Sequence, residues 1–301
     1  MSIELSSRTI SHAYGSIERA VLETLAYSDI FDYPLRIEEL HRYLSIPINR
    51  SELAETLNFH NDSINMLDGY YVLAGRENLI GIRQNHEAIS GPILKRATWY
   101  GRLLGCLPFI RMVGLTGSLA LQNCDEKADI DYLLVATHGR VWTARAFALL
   151  LGHATALSGN IICPNLIISD QALEWPRQDT YSAHELCQMI PISGFDVYRR
   201  IRQVNSWTNT FLPNSSSAPD LRRNEYTGAS QFRNLFELPF RGRIGDSIEA
   251  WEMNRKIKRL ISLAGFGPET QFNRDICQGN FNQHGLQIKA AYQRRLSNLG
   301  L

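Results

Sequence analysis

Apolar residues recur at helical spacing along the first part of the chain and give way to strand-like runs. Ile17, Val21 and Leu25 lie four residues apart and predict a helix. Two shorter helical patterns follow over residues 37–44 and 49–60. The stretch "INMLDGYYVLAGRENLIGI" then predicts two strands that form a hairpin around "AGREN".

Three short helices followed by a hairpin resemble a winged helix-turn-helix domain, here assigned to residues 1–90. In such a domain the third helix often enters the DNA major groove. The corresponding helix here has Arg50 as its single Lys or Arg, beside Glu52 and Glu55. Because DNA affinity depends on cations that neutralise phosphates, nucleic-acid binding is disfavoured, and packing, dimerisation or substrate positioning is the favoured role.

The middle of the chain alternates helical and strand-like patterns and predicts an α+β fold with a mixed sheet. A helix over 93–107 precedes the strand "FIRMVGLTG", and the helix "VWTARAFALLLGHATAL" separates the strands "DIDYLLV" and "NIICPNLIIS". From Thr180 onward the pattern is largely helical, with an exposed loop expected at 213–220. These patterns predict a core domain over 91–178 and a helical C-terminal domain over 179–301.

Composition restricts the class of protein. The chain has 301 residues, is 44% hydrophobic and 20% charged, and carries a net charge of +1, which is typical of a globular protein. Neither a long apolar run nor a secretory signal is present, so we expect a cytoplasmic protein without membrane contact. The 5 cysteines are scattered without a C-x-x-C pair, which argues against disulfides and a zinc site.

Two carboxylates stand at the start of the central strand "DIDYLLV". Side chains alternate along a strand, so Asp129 and Asp131 project from the same face. Two unpaired carboxylates beside an apolar strand repel each other and lose hydration. A divalent cation removes this conflict, and carboxylate oxygens suit Mg²⁺, which completes its octahedron with water and phosphate oxygens.

A glycine and a serine follow the preceding strand, in the sequence "GLTGS". Gly117 permits close approach of a ligand to the backbone, and Ser118 offers a hydroxyl and an amide at the start of a short helical turn. By itself a Gly-Ser turn is weak as a signal. Its position ten residues before the aspartates makes a phosphate-holding role the favoured interpretation.

Together these residues resemble the signature of the DNA polymerase beta-like nucleotidyltransferase superfamily, a strand ending in Gly-Ser followed by Asp-hydrophobic-Asp on a second strand. The resemblance implies a mixed sheet, two Mg²⁺ ions and a nucleoside triphosphate. It also implies transfer of a nucleoside monophosphate, with AMP from ATP favoured, to a hydroxyl of a small molecule or protein. By the same resemblance Gly117 and Ser118 hold the triphosphate, and Asp129 and Asp131 bind the metals.

The chain departs from that family at the third carboxylate. Catalytic members carry it on the next strand, where "IICPNLIIS" offers Asn165, whose amide cannot accept a proton as a general base. Asp170 and Glu174 lie beyond this strand, and Glu185 lies in a following helix. Two hypotheses remain, an enzyme whose base comes from outside the sheet, or a regulatory protein that senses nucleotide without turnover.

Further candidates lie outside the central motif. Arg241 and Arg243 of "FRGRIG" are interpreted as a clamp for the triphosphate, with solvated loop arginines as the alternative. His184 beside Glu185 is interpreted as structural. Stacking of a base on aromatic rings is a weaker possibility than core packing for Trp175, Trp207, Phe211 and Trp251. A homodimer is possible, and the sequence does not identify the acceptor.

Overall fold

The computed structural model describes residues 2–58, 62–156, 162–216 and 230–301. The N-terminal segment forms a helical unit with a small three-stranded sheet of order β1-β3-β2. Its elements are α1 (Ser2–Asp29), β1 (Leu35–Arg36), α2 (Ile37–Tyr43), α3 (Arg50–Leu57), β2 (Ile64–Leu67) and β3 (Tyr70–Leu73). The order of helices and the hairpin predicted from the sequence is therefore present.

The turn of this hairpin lies earlier than predicted. Asp68 and Gly69 connect β2 to β3 and have φ angles of 54° and 79°. Asp-Gly with both φ angles positive is the preferred two-residue hairpin turn, because its twist matches that of the strands. The prediction of a turn at "AGREN" was wrong, since those residues lead directly into the next helix.

That helix, α4 (Asn78–Cys106), crosses the predicted domain boundary at residue 90. It packs on the central sheet, where the Tyr132 hydroxyl donates to the Ala97 carbonyl over 2.6 Å. The N-terminal unit and the sheet therefore share one continuous helix instead of being joined by a linker.

The central sheet has six strands within the described residues, in the order β7-β4-β5-β6-β9-β8. Strands β5 and β6 pair in parallel and the other neighbours pair antiparallel, so the sheet is mixed and the α+β prediction is confirmed. The strands are β4 (Ile110–Leu115), β5 (Ile130–Ala136), β6 (Ile162–Ser169), β7 (Ile190–Ser193), β8 (Thr270–Phe272) and β9 (Ile276–Gly279). The helices are α5 (Gly117–Ala120), α6 (Val141–Ala156), α7 (Thr180–Gln188), α8 (Phe195–Val204), α9 (Thr208–Phe211), α10 (Ser230–Glu237), α11 (Gly242–Ile261) and α12 (His284–Asn298).

Three of the six strands come from the segment that was predicted to be helical. β7, β8 and β9 lie beyond residue 178 and are three or four residues long. The central sheet thus extends into the predicted C-terminal helical domain, which is a correction to that prediction. Residues 213–216 of the expected loop form a short 3-10 helix, and 217–220 lie outside the described residues.

Strand β5 is buried on both faces. Tyr132 and Leu134 pack in a core shared with α4 and α6, whereas Leu133 and Val135 pack in a second core with α7 and α8. A strand covered on both sides loses the polar alternation of a surface strand, which explains the continuous apolar run after Asp131. The sheet is rigidly held where the aspartates begin.

All five cysteines are free thiols, as the sequence predicted. Throughout the described ranges, none of the helices combines the length and apolar character needed to cross a membrane.

Candidate functional site

The backbone of Gly117 lies directly against the carboxylate of Asp131. β4 and β5 run side by side, and the Thr116 amide donates to the Asp131 carbonyl over 3.0 Å. Gly117 adopts a φ of +69°, and a Cβ atom built on it would lie 2.7 Å from Asp131 Oδ2. Only glycine fits this turn without displacing the carboxylate, so the Gly-Ser motif and the second aspartate form one local site.

The two aspartates differ in their surroundings. Asp129 precedes β5 and is exposed, while Asp131 lies within the strand and is partly buried. Burial raises the pKa of Asp131 from 3.8 to about 6, the Cys163 thiol lowers it by hydrogen bonding, and the charge of Asp129 raises it further. No basic side chain in the described part of the chain is among the causes of this shift. Within the described residues, no basic side chain therefore offsets the effect of burial and of Asp129 on the pKa of Asp131.

Asn165 lies on the strand beside the aspartates, as predicted. Tyr132 pairs with Pro164 and Leu133 with Leu166, so Asn165 is the extra residue of a β-bulge in β6. A bulge re-aims a side chain at the edge of a sheet. Asn165 is exposed and lines two adjoining cavities, to which it contributes a neutral amide.

Glu185 is the carboxylate that the fold brings to this site. It projects from α7, a helix that begins at Asp179, whose side chain accepts from the Ser182 amide over 2.9 Å. Glu185 lines the same cavity as Asp131. Burial raises its pKa from 4.5 to about 7, and the charge of Asp131 contributes to the increase. The carboxylates of Asp131 and Glu185 are therefore close enough for the charge of one to affect the pKa of the other.

The other two acidic candidates lie elsewhere. Asp170 is at the far end of β6, where its Oδ1 accepts from the His138 amide over 3.0 Å. Glu174 is exposed and lines neither cavity within the described residues. Of the three acidic residues considered in place of an acid at Asn165, only Glu185 lines the same cavity as Asp131.

His184 is a packed, neutral side chain. It is 5% exposed and stacks on Tyr27 with ring centroids 4.0 Å apart. Its Nδ1 lies 3.1 Å from Gln188 Nε2. Burial lowers its pKa to about 3, so it carries no charge at neutral pH. The structural interpretation of His184 is confirmed.

Two cavities adjoin at the site. One, which we call the aromatic cavity, has a volume of about 370 Å³ and is lined by Gly117, Ser118 and Asp131 and by side chains of the N-terminal unit. The other, which we call the sheet cavity, has a volume of about 570 Å³ and lies along β6 and β9. Four residues line both cavities, namely Asn165, Tyr181, Glu185 and His284. Glu185 therefore lies at the boundary between the two cavities.

The donor set suits Mg²⁺ but does not form a closed metal cage. In the parts of the chain that the structure describes, no three His, Cys, Asp or Glu side chains converge to hold a metal by themselves. Mg²⁺ is commonly bound by one or two carboxylates together with water and phosphate oxygens. Asp129 and Asp131 fit this second kind of site, in which carboxylates supply part of the coordination shell and other oxygens complete it.

The structure does not bring Arg241 or Arg243 to the aspartates, which corrects the predicted triphosphate clamp. Arg241 Nη2 lies 3.2 Å from Glu237 Oε2, and Glu237 accepts from the Phe109 amide. Phe109 precedes the first residue of β4, whereas Leu115, the last residue of β4, pairs with Tyr132, the neighbour of Asp131. At about 3.4 Å per residue, roughly 17 Å of sheet separate the two ends. Arg243 lies in the first turn of α11, the helix that Arg241 precedes, and is exposed.

Of the four aromatic residues considered for base stacking, one lines a cavity of the site and three do not. Trp175 lines the sheet cavity. Trp207 and Phe211 pack edge to face with ring centroids 6.0 Å apart, and Trp251 is 63% exposed on α11. The tyrosines that line the aromatic cavity were missed, because aromatic residues at helical spacing predict a core and give no local sign of a cavity.

Comparison with protein-family models, with curated proteins and with solved structures finds no match for this chain. The site must therefore be interpreted from its own geometry.

Proposed function

We propose that this protein is a metal-dependent nucleotidyltransferase that moves a nucleoside monophosphate, with AMP favoured, from a triphosphate to a hydroxyl. The observation that carries the proposal is the contact of Gly117 with the Asp131 carboxylate. It joins a turn suited to phosphate with a carboxylate suited to Mg²⁺ at one point. Glu185 in the same cavity adds a third acidic side chain.

In this proposal Asp129 and Asp131 hold Mg²⁺ with the phosphates of the nucleotide, two ions being the number that the family resemblance implies. The bound metal would neutralise charge on the phosphates. Gly117 allows the triphosphate to approach the backbone, and Ser118 contributes its hydroxyl and amide. Asn165 contributes a neutral oxygen near the metals.

Glu185 is the proposed proton acceptor for the attacking hydroxyl. A general base works best when its pKa lies near the working pH, and burial raises the pKa of Glu185 to about 7. The amide of Asn165 cannot take this role. The absence of an acid at the bulge of β6 is therefore compatible with activity.

We also propose that the N-terminal unit is a winged-helix-like module. Its order of α1, β1, α2, α3 and the β2–β3 hairpin is similar to that arrangement. The exposed arginine of α3, Arg50, has its Nη1 3.9 Å from Glu38 Oε1, which leaves this helix with little free positive charge. This supports a role other than nucleic-acid binding.

The alternative function is a regulatory protein that binds nucleotide without turnover, and the amide at Asn165 favours it. The two proposals differ in one product, pyrophosphate. Each of the four nucleoside triphosphates would be incubated with Mg²⁺, the protein and pools of hydroxyl-bearing small molecules or proteins.

We expect pyrophosphate release with at least one pool, and a loss of a hundredfold or more in Asp131→Asn and Glu185→Gln. Glu174→Gln is the matched control, because Glu174 is exposed and away from both cavities. Release that is unchanged in Asp131→Asn would overturn the assignment. Mg²⁺-dependent binding of nucleotide by the wild type, without pyrophosphate from any pool, would favour the regulatory protein.

A further inference from the structure

The aromatic cavity is built by two parts of the chain that are distant in sequence. Tyr27 and Phe31 belong to or follow α1, and Tyr43 ends α2. Across from them lie Gly117 and Asp131 of the central sheet region. The N-terminal unit therefore forms one wall of the cavity that ends at the acidic side chains.

Hydrogen bonds hold this wall against the sheet. Asn123 Nδ2 donates to the Phe31 carbonyl over 3.0 Å. Arg42 Nη2 donates to the Cys187 carbonyl at the end of α7 over 2.6 Å. Both contacts join the N-terminal unit to the core, so the aromatic cavity lies between two parts of the chain that are hydrogen-bonded to each other.

The lining of the aromatic cavity has a defined chemical character. Neither Lys nor Arg is among the described residues that line it. Its carboxylates, Asp131 and Glu185, lie at one end. Most of the remaining wall consists of aromatic faces, hydroxyls and amides, including Ser28 and Gln188. An anionic ligand that brings no metal ion would meet these carboxylates without a compensating cation from the described lining and is disfavoured.

The sheet cavity has a different character. Its lining includes Arg177, which forms an ion pair with Glu269, and the aromatic rings of Trp175 and Phe281. Arg177 also pairs with Asp179, so its charge is largely offset, but it is the single Lys or Arg in the described lining of either cavity. An anionic group is therefore better placed here than in the aromatic cavity.

Gly117, Ser118 and Asp131 line the aromatic cavity and not the sheet cavity. In the proposed arrangement the base and ribose of the nucleotide therefore lie in the sheet cavity, and its phosphates reach Gly117 and Asp131 past Glu185, which lines both.

We propose that the aromatic cavity is the acceptor site and takes a small, uncharged molecule that bears a hydroxyl on an aromatic or apolar body. This inference rests on the proposed function. The volume of about 370 Å³ is in the range of small-molecule sites. The winged-helix-like unit serves here as a wall of the substrate site.

In this arrangement the nucleoside monophosphate is transferred in a single displacement at the α-phosphorus. The acceptor oxygen forms a bond to the α-phosphorus of the nucleotide while the bond from that phosphorus to the pyrophosphate breaks. The hydroxyl proton passes to the carboxylate of Glu185, and pyrophosphate leaves. The α-phosphate lies beside Gly117 and Asp131, at the acidic end of the aromatic cavity.

A matched pair of probes tests the ligand class. 4-(2-Hydroxyethyl)phenol is neutral, and 4-hydroxyphenylacetate has the same ring with a carboxylate. Their dissociation constants for the full-length protein would be measured by ligand-observed NMR with Mg²⁺ present. We expect the neutral probe to bind at least tenfold more tightly than the anion. Equal affinities, or tighter binding of the anion, would overturn the proposal.

Variants test the location. Ser28 is 7% exposed and its hydroxyl donates back to Leu25, so Ser28→Leu adds bulk into the cavity. We expect a tenfold or greater loss of the neutral probe and Mg²⁺-ATP affinity within twofold of the wild type. Phe31→Ala, at a partly buried position, removes a wall and should weaken the probe at least fivefold even if Ser28→Leu fails to fold.

Phe236→Ala is the control, because Phe236 is 62% exposed on α10 and lines neither cavity. Probe binding that survives both cavity variants, or loss of Mg²⁺-ATP binding in place of the probe, would refute the acceptor site. If the wild type binds the neutral probe but no Mg²⁺-ATP, the proposed function fails and the ligand class stands. If it binds Mg²⁺-ATP but not the probe, the acceptor site alone fails.

Discussion

Gly117→Ala is expected to damage the site through Asp131 more than through the fold. Gly117 has a φ of +69°, and an alanine Cβ would lie 2.7 Å from Asp131 Oδ2 and 3.4 Å from Asp131 Cβ. The left-handed backbone costs an L-residue about 1–2 kcal/mol. The contact with Oδ2 is too short to persist, so the carboxylate must rotate away from the turn.

Gly242→Ala separates these two effects. Gly242 has a φ of +67°, and a Cβ there would meet nothing within 4 Å. Both variants should therefore lose about 1–2 kcal/mol in the free energy of unfolding measured with urea. Only Gly117→Ala should weaken Mg²⁺-ATP, by tenfold or more in isothermal titration calorimetry, which corresponds to about 1.4 kcal/mol.

The comparison has a clear refuting result. If both variants bind Mg²⁺-ATP as tightly as the wild type, then the contact of the Gly-Ser turn with Asp131 does not position that carboxylate for nucleotide binding. If both lose it equally, the loss comes from general destabilisation and the local argument fails.

Three further predictions address charge. In the metal-free protein the pKa of Glu185 is about 7 in the folded state and 4.5 in the unfolded chain. The folded state therefore holds the proton more tightly, and the free energy of unfolding should fall as the pH rises between these values. Glu185→Gln should reduce this dependence of the free energy of unfolding on pH, and an unchanged dependence would contradict the burial of Glu185. Asp29 Oδ1 lies 2.6 Å from Arg76 Nε, and Asp29 Oδ2 lies 2.5 Å from Arg295 Nε. The substitution Asp29→Asn should therefore lower the free energy of unfolding by about 1.5–3 kcal/mol. The control Asp32→Asn, at a side chain that is 55% exposed, should lower it by less than about 1 kcal/mol, and equal losses in the two variants would refute the prediction. The double variant Arg241→Ala and Arg243→Ala should bind Mg²⁺-ATP within twofold of the wild type, because both arginines lie at the end of the sheet opposite to the aspartates. A tenfold loss of affinity in titration calorimetry would support the predicted triphosphate clamp instead.

Local periodicity was enough for the centre of the fold. β4, the turn at Gly117, β5, α6 and β6 lie where the sequence predicts them, because each is a single run of apolar residues with its own period. The same-face spacing of Asp129 and Asp131 follows from the two-residue repeat of a strand. The position of Asn165 on the adjoining strand follows from the strand, helix, strand order.

Short strands escaped the sequence because their pairing is what defines them. β8 and β9 have three and four residues, and "TQF" and "ICQG" carry no alternation long enough to distinguish a strand from a loop. They become strands by hydrogen bonding to β6 and to each other. The pairing of β9 with β6 spans more than a hundred residues of chain and is a tertiary property, since no local signal encodes it. β8 joins the sheet by pairing with β9.

The composition of the site was likewise decided by tertiary structure. The sequence determined that two carboxylates and a Gly-Ser turn share one sheet, because strand geometry fixes these positions over fewer than twenty residues. It offered Glu185 as a candidate catalytic residue, with Asp170 and Glu174 as alternatives, and only the packing of α7 brings Glu185 into the cavity of Asp131. The wall formed by Tyr27 and Tyr43 also depends on the docking of the N-terminal unit, because a cavity exists only between surfaces that the fold brings together.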